Sequence, residues 1–200
     1  VDVGVSANNV DNSYTIVMMN GTGAPITSST VFDGFTITGG NANGASAPQQ
    51  SGGGLYCNGQ SGNCSPTLNN LVFSGNAAAN GGALFADGSY SGVSNPQLTD
   101  ATFSRNSATG FGGAFYSYGF SGTSTPALTN VTFSANTAGA GGGAMMSARG
   151  NPVLTNVTFR GNSAFADGGA IYLSPATAVL TNVILQADTS TTSNSEIAFD

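Results

Sequence analysis

The chain has 200 residues and a formal net charge of −6, with 30 Gly, no His, no Trp, and charged residues at only 6% of the total. So few Glu, Lys and Arg cannot furnish helix faces, three cations cannot neutralise a phosphate backbone, and imidazole chemistry is absent. No apolar stretch approaches the roughly 18 residues of a membrane span, so neither nucleic acid nor a membrane span in this segment is expected.

The first 29 residues read as a lead-in coil. In it, Val1, Val3 and Val5 alternate with small or polar residues, and residues 14–17 form one short strand. A start at Val1 without Met fits a processed chain or a piece of a longer one. Residues 30–41 (TVFDGFTITGGN) open the first of six copies of one pattern. The next four are PTLNNLVFSGN from Pro66, PQLTDATFSRN from Pro96, PALTNVTFSAN from Pro126 and PVLTNVTFRGN from Pro152. A last copy runs from Ala178 to Asp188, with Leu185 for Phe and Asp188 for Asn. After each comes a glycine-rich element, at Gly52–Tyr56, Gly81–Phe85, Gly112–Tyr116, Gly142–Met146 and Gly168–Tyr172; Ser195–Ala198 takes its place at the end.

Each copy holds two or three strand-sized pieces between Gly, Pro and Asn turns, with no helical period. One such unit cannot bury its own apolar face and must stack on its copies. In LTNVTF from Leu128 to Phe133, Leu128, Val131 and Phe133 point inward, Asn130 sits at a bend, and Thr129, Thr132 and Ser134 face out. Stacking like on like at about 4.8 Å per coil makes an all-β, single-stranded parallel β-helix, one domain with a core roughly 30 Å long. Two columns of amides follow, one of Asn70, Asp100, Asn130, Asn156 and Asn182, the other of Asn76, Asn106, Asn136 and Asn162. An amide both donates and accepts, so each column can satisfy itself from rung to rung.

These residues carry a resemblance. The alternating Phe-x-x-Asn and Gly-Gly-Ala-hydrophobic motifs resemble the repeats of the chlamydial polymorphic outer-membrane protein family. Residues 31–42 and the Glu196–Phe199 ending resemble bacterial surface β-helix proteins of the choice-of-anchor type. The resemblance, over about residues 11–200, implies a right-handed β-helix at the cell surface or outside the cell. It does not imply an activity, because such repeats serve adhesins, stalks and passengers alike.

Glycan cleavage on a β-helix needs carboxylates close enough to divide acid and base roles. Here Asp100 falls between Asn70 and Asn130, Asp33 next to Asn70, Asp188 next to Asn162, and Asp87 lies three rungs from Asp167. Each Asp therefore reads as a substitute for Asn in a ladder or turn. Arg105, Arg149 and Arg160 are equally scattered, so no enzyme, cofactor or metal is expected. The outward Thr columns suit exposed strands and are too interrupted for an ice-binding face.

Cys57 and Cys64 favour a local disulfide on a secreted chain, against two free thiols. From the last small residue of the glycine motif, the following loops run 12, 13, 12, 8 and 8 residues to the next Pro or its equivalent. The long ones hold Tyr90, Tyr118 and Phe120, which either grip a glycan or protein partner or pack on one another. Open coil ends, near Val1, Val3 and Val5 and near Ile197 and Phe199, invite head-to-tail self-association unless flanking sequence caps them. The resulting expectation is a non-catalytic extracellular structural or adhesive module, the alternative being a carbohydrate-binding or carbohydrate-cleaving β-helix.

Overall fold

The computed structural model describes residues 13–192 and 195–200; Val1, Val3 and Val5 lie outside them. The described residues form a parallel β-helix without helices. Every strand pairs in parallel with its equivalent in the neighbouring coil, never with the next strand in sequence. One seven-stranded sheet carries the glycine-rich motifs, from Val17–Asn20 to Ile197–Phe199. A six-stranded sheet runs from Val31–Asp33 to Val179–Thr181 and carries the Leu column. Another, from Thr36–Thr38 to Ile184–Gln186, carries the Phe column.

The fourth sheet was not expected from sequence. Its six strands have two residues each, from Asn41–Ala42 to Thr189–Ser190, directly after the second amide column. Two residues are too few for an alternation to show. The lead-in strand is also displaced from the expected residues 14–17 to Val17–Asn20, because Met19 pairs in register with Cys57 and enters the core.

The inward positions match the pattern read from Leu128–Phe133. Leu68, Leu98, Leu128 and Leu154 are buried, as are Leu71, Ala101, Val131 and Val157. Phe73, Phe103, Phe133 and Phe159 stack with centroids 4.6, 4.8 and 4.9 Å apart, Ile37 and Leu185 continuing the register at either end. Burying each ring stabilises the coil by about 1.5–3 kcal/mol.

The first amide column turns the chain. Asn70, Asp100, Asn130, Asn156 and Asn182 have φ of 50°, 54°, 56°, 55° and 51°, a left-handed conformation that Asn and Asp tolerate best after Gly. Asn182 Nδ2 donates to Asn156, Asn156 to Asn130, and Asn130 to Asp100 at 3.0 Å. A carboxylate has nothing to donate, so the run stops at Asp100, and Asn70 donates instead to Asp33 at 2.8 Å.

The second column is buried and more extensively bonded. Asn106 Nδ2 donates to Phe73 O in the coil below and to Asn136 Oδ1 in the coil above, both at 3.0 Å. Its Oδ1 accepts from both the backbone N–H and the Nδ2 of Asn76. Asn136 and Asn162 repeat this arrangement, and the run ends on Asp188, whose Oδ1 accepts twice from Asn162 at 2.7 Å. Burial pushes the Asp188 carboxyl above the usual aspartate value, outweighing the Asn162 and Gln186 donors that pull it down. A carboxyl raised by folding stabilises the fold below its unfolded value, about 3.9, and that contribution is lost as pH rises through the folded value. Asp188→Asn is therefore expected to raise stability at neutral pH and to flatten the melting temperature just above pH 4, as read by thermal melts across pH.

The paired glycines bring coils into backbone contact. A Cβ at Gly82, Gly113 or Gly143 would lie 2.2, 2.1 or 2.0 Å from the carbonyl oxygen of the corresponding glycine in the next coil. The structure thus admits no side chain there. Coil length falls from 30 to 26 residues without breaking any register, because the loops after the glycine-rich strands absorb the difference.

Candidate binding cleft over the glycine-rich sheet

Alternation along the glycine-rich strands sends every second side chain outward. Met18, Tyr56, Phe85, Tyr116, Met146 and Tyr172 form one outward row, and Asn20, Asn58, Asp87, Tyr118, Ala148 and Ser174 the other. Yet Tyr56, Phe85 and Met146 are buried. Phe111, from the segment preceding a glycine pair, lies 6.3 Å from both Tyr116 and Tyr172.

The opposite wall is the stack of long loops. Residues 58–63 and 118–123 share Gly, Ser and Gly at equivalent places, with Ser61 and Ser121 at φ of 51° and 57°. The loop between them is one residue longer, and both Tyr90 and Ser91 adopt positive φ, 55° and 63°. Backbone bonds tie the layers together, Ser61 N to Ser89 O, Tyr90 N to Phe120 O and Ser91 N to Ser121 O. A Cβ on Gly59 or Gly88 would fall 1.9 Å from a carbonyl oxygen of the adjacent loop. The ridge is therefore backbone packed on backbone, and its extra residue lifts Tyr90 outward to 66% exposure.

Between the walls lies a cleft of about 330 Å³ whose lining includes Asp87, Tyr56, Gln60, Phe85, Ser89, Tyr90 and Tyr116. Asp87 is only 3% exposed. Its Oδ2 accepts from Tyr56 Oη at 2.8 Å and Gln60 Nε2 at 2.5 Å, and its Oδ1 from the Ser89 N–H at 3.0 Å. Burial, with the Asp87 charge adding to it, pushes the Tyr56 phenol far up. Tyr116 is pushed up to about 12, by burial first and then by Tyr118 and Asp87. These phenols stay neutral, and Tyr56 remains a donor. The rings are not one flat stack, since Tyr116 meets Phe85 at 73° and Tyr118 at 66°.

Of the aromatic residues singled out from sequence, Tyr90 and Tyr118 line this cleft. Phe120 packs on Tyr118 at 6.2 Å, and the Arg149 guanidinium covers it at 4.7 Å from the ring centroid. Mutual packing thus accounts for Phe120, while Tyr90 is left open. Asp87, Tyr56, Gln60 and Ser89 were not expected in a site. From sequence Asp87 reads as a substitute for Asn in a ladder or turn, and it does continue the column of Asn58, but under a wall that the sequence does not disclose. The available signal was the run of outward rings at Tyr56, Phe85, Tyr116 and Tyr172. Asp33, Asp100 and Asp188 are each bonded to an Asn amide. Ile197 pairs with Ile171, and Phe199 projects from the last rung.

Cys57 and Cys64 form a disulfide with Cα atoms 5.7 Å apart. It lies within the hydrophobic core beneath the ridge, because Cys57 occupies an inward position in register with Met19 and Ala86. Two coils on, Ser117 and Ser124 hold the equivalent positions with the same separation of seven, their Oγ atoms 2.8 Å apart. Ser117→Cys with Ser124→Cys is expected to form a second disulfide, adding about 2–3 kcal/mol by closing a loop of that size. Non-reducing mass analysis and denaturant titration with and without reductant check it.

Residues 70–87, 100–118 and 156–174 match the family model described as the Chlamydia polymorphic membrane protein (Chlamydia_PMP) repeat. Each match begins at a left-handed bend residue, passes through the stacked Phe and the buried Asn, and ends with the glycine-rich strand. No curated protein and no solved structure matches the chain. Repeats of this type on a β-solenoid fit a surface or outer-membrane protein. The chain is a parallel β-helix in which three segments are similar to the Chlamydia polymorphic membrane protein repeat.

Proposed function

We propose that this β-helix is a non-catalytic, extracellular structural and adhesive module of a bacterial surface protein, and that the cleft at Asp87 holds a surface glycan or protein. The observation that carries this reading is a preformed aromatic cleft against a ridge of interlocked backbone, with Tyr90 open to solvent. A rigid wall spares the ordering entropy that a mobile loop would lose on binding. Asp87 is the one carboxylate among the described residues lining the cleft, whereas glycan hydrolysis divides acid and base roles between two. Cell- and glycan-binding assays with the native protein and Tyr90→Ala test the adhesive reading; equal binding by both overturns the placement of the site. Polygalacturonate, alginate and xylan, with and without Ca²⁺, are expected to yield no product. Turnover abolished by Asp87→Asn would instead establish the carbohydrate-cleaving alternative.

Head-to-tail assembly is the second reading, favoured by the last rung, where Val179, Leu180, Ile184 and Phe199 are exposed. A further coil or a second copy can cover such an edge. Light scattering across a concentration series decides between them, and a constant monomer mass ends the assembly reading.

A further inference from the structure

We propose that the cleft at Asp87 is a site for a primary ammonium group, such as the end of a lysine side chain presented by a partner. The inference rests on the reading of this cleft as a ligand site and names the chemistry of its occupant. Three observations converge on it.

The first is charge. Asp87 is buried, and its three described partners, the Tyr56 hydroxyl, the Gln60 amide and the Ser89 N–H, are all neutral. They satisfy lone pairs without cancelling the negative charge, and a buried carboxylate gains most from a cation placed against it. The second is acceptor geometry. With two bonds on Oδ2 and one on Oδ1, one lone pair of Oδ1 remains. Ser89, only 2% exposed, borders the same cleft, and its buried Oγ has no hydrogen-bond partner. A buried hydroxyl without a partner is rare and costly. An ammonium group, with three donors and no acceptor, suits both vacant acceptors, while a quaternary ammonium can serve neither.

The third observation is the aromatic wall. Tyr116 and Tyr118 stand at 73° and 46° to Phe85, and all three rings border the cleft, where an aromatic face can attract a cation. Phe120, packed on Tyr118, already holds a cation, the Arg149 guanidinium. A neutral sugar would use the rings but would leave the buried charge unanswered.

NMR titration of the native protein tests this with four probes: N-acetyl-lysine methylamide, its uncharged norleucine analogue, tetramethylammonium and a methyl glycoside. The lysine amide is expected to shift the resonances of residues around Asp87, to bind at least tenfold more tightly than the other three, and to weaken with added salt. Asp87→Asn is expected to abolish that preference. Because Asp87 is buried and its exchange can disturb the fold, Ser89→Ala is the second variant. It keeps the backbone N–H bond to Asp87 and is expected to weaken the lysine amide several-fold while leaving the norleucine analogue unchanged. Equal binding of the lysine and norleucine amides overturns the proposal, as does tighter binding of tetramethylammonium. Binding of the glycoside in preference to the lysine amide also overturns it, yet leaves the cleft standing as a ligand site. If no probe binds, the ammonium assignment falls, and the Tyr90→Ala adhesion assay decides separately whether the cleft binds anything.

Discussion

Phe133→Ala is expected to lower the unfolding free energy by about 3–5 kcal/mol, whereas the adjacent Thr132→Ala is expected to change it by no more than about half a kcal/mol. The two positions differ by one residue of alternation. Phe133 is fully buried between Phe103 and Phe159, 4.8 and 4.9 Å from their centroids, while Thr132 is exposed. Coils above and below fix the backbone through parallel pairing on both sides, so the rungs cannot close over a missing ring. The loss therefore combines transfer and cavity contributions and falls toward the upper part of the range for aromatic truncations. Urea titrations followed by circular dichroism measure both variants. Comparable losses would mean that the inward and outward faces are misassigned.

Asn106→Leu is expected to cost on the order of 4 kcal/mol, although leucine has the same branched arrangement of side-chain heavy atoms. The substitution removes the acceptor for the Asn76 N–H and Nδ2 and the donor to Phe73 O and Asn136 Oδ1. Each polar group left buried without a partner costs about 1–3 kcal/mol, and neighbours in one network share part of the loss. Asn106→Asp is expected to be nearly as damaging at neutral pH, since a carboxylate would face two carbonyl oxygens, and to recover partly in acid. The exposed column supplies the control. Asn130→Gly keeps the left-handed bend available and lets water replace the Asn156 and Asp100 partners, so it is expected to stay within about half a kcal/mol. Equal costs at Asn106 and Asn130 would show that burial does not distinguish the two ladders.

The architecture was legible because the repeat states its own register. Once Phe73, Phe103, Phe133 and Phe159 align in sequence, stacking like on like fixes what lies inside and which amides form columns. The cleft was far less legible. Its floor comes from alternation in the glycine-rich strands, which was available. Its walls depend on how far the segment around Gln50 and Asn80 and the loop at Tyr90 fold over the sheet, which no period encodes. Asp87 shows the difference. By sequence it reads as a substitute for Asn in a ladder or turn; the structure sets it in register with Asn58 and buries it among the surrounding rings. The disulfide pairing followed from there being only two cysteines, but its place in the core followed from the inward parity of Cys57.

The two amide columns also have a polarity. In the buried column the amide-to-amide bonds point toward the C-terminal coils, from Asn76 through Asn106 and Asn136 to Asn162. In the exposed column the donors point the other way, from Asn182 through Asn156 to Asn130. The amide dipoles within each column therefore add, as peptide dipoles add along a helix, and the two columns oppose one another. The positive end of each run meets an acid, Asp188 in one and Asp100 in the other, and the shorter run from Asn70 meets Asp33. An aspartate in these columns is thus an electrostatic cap that fixes where a run of aligned dipoles stops.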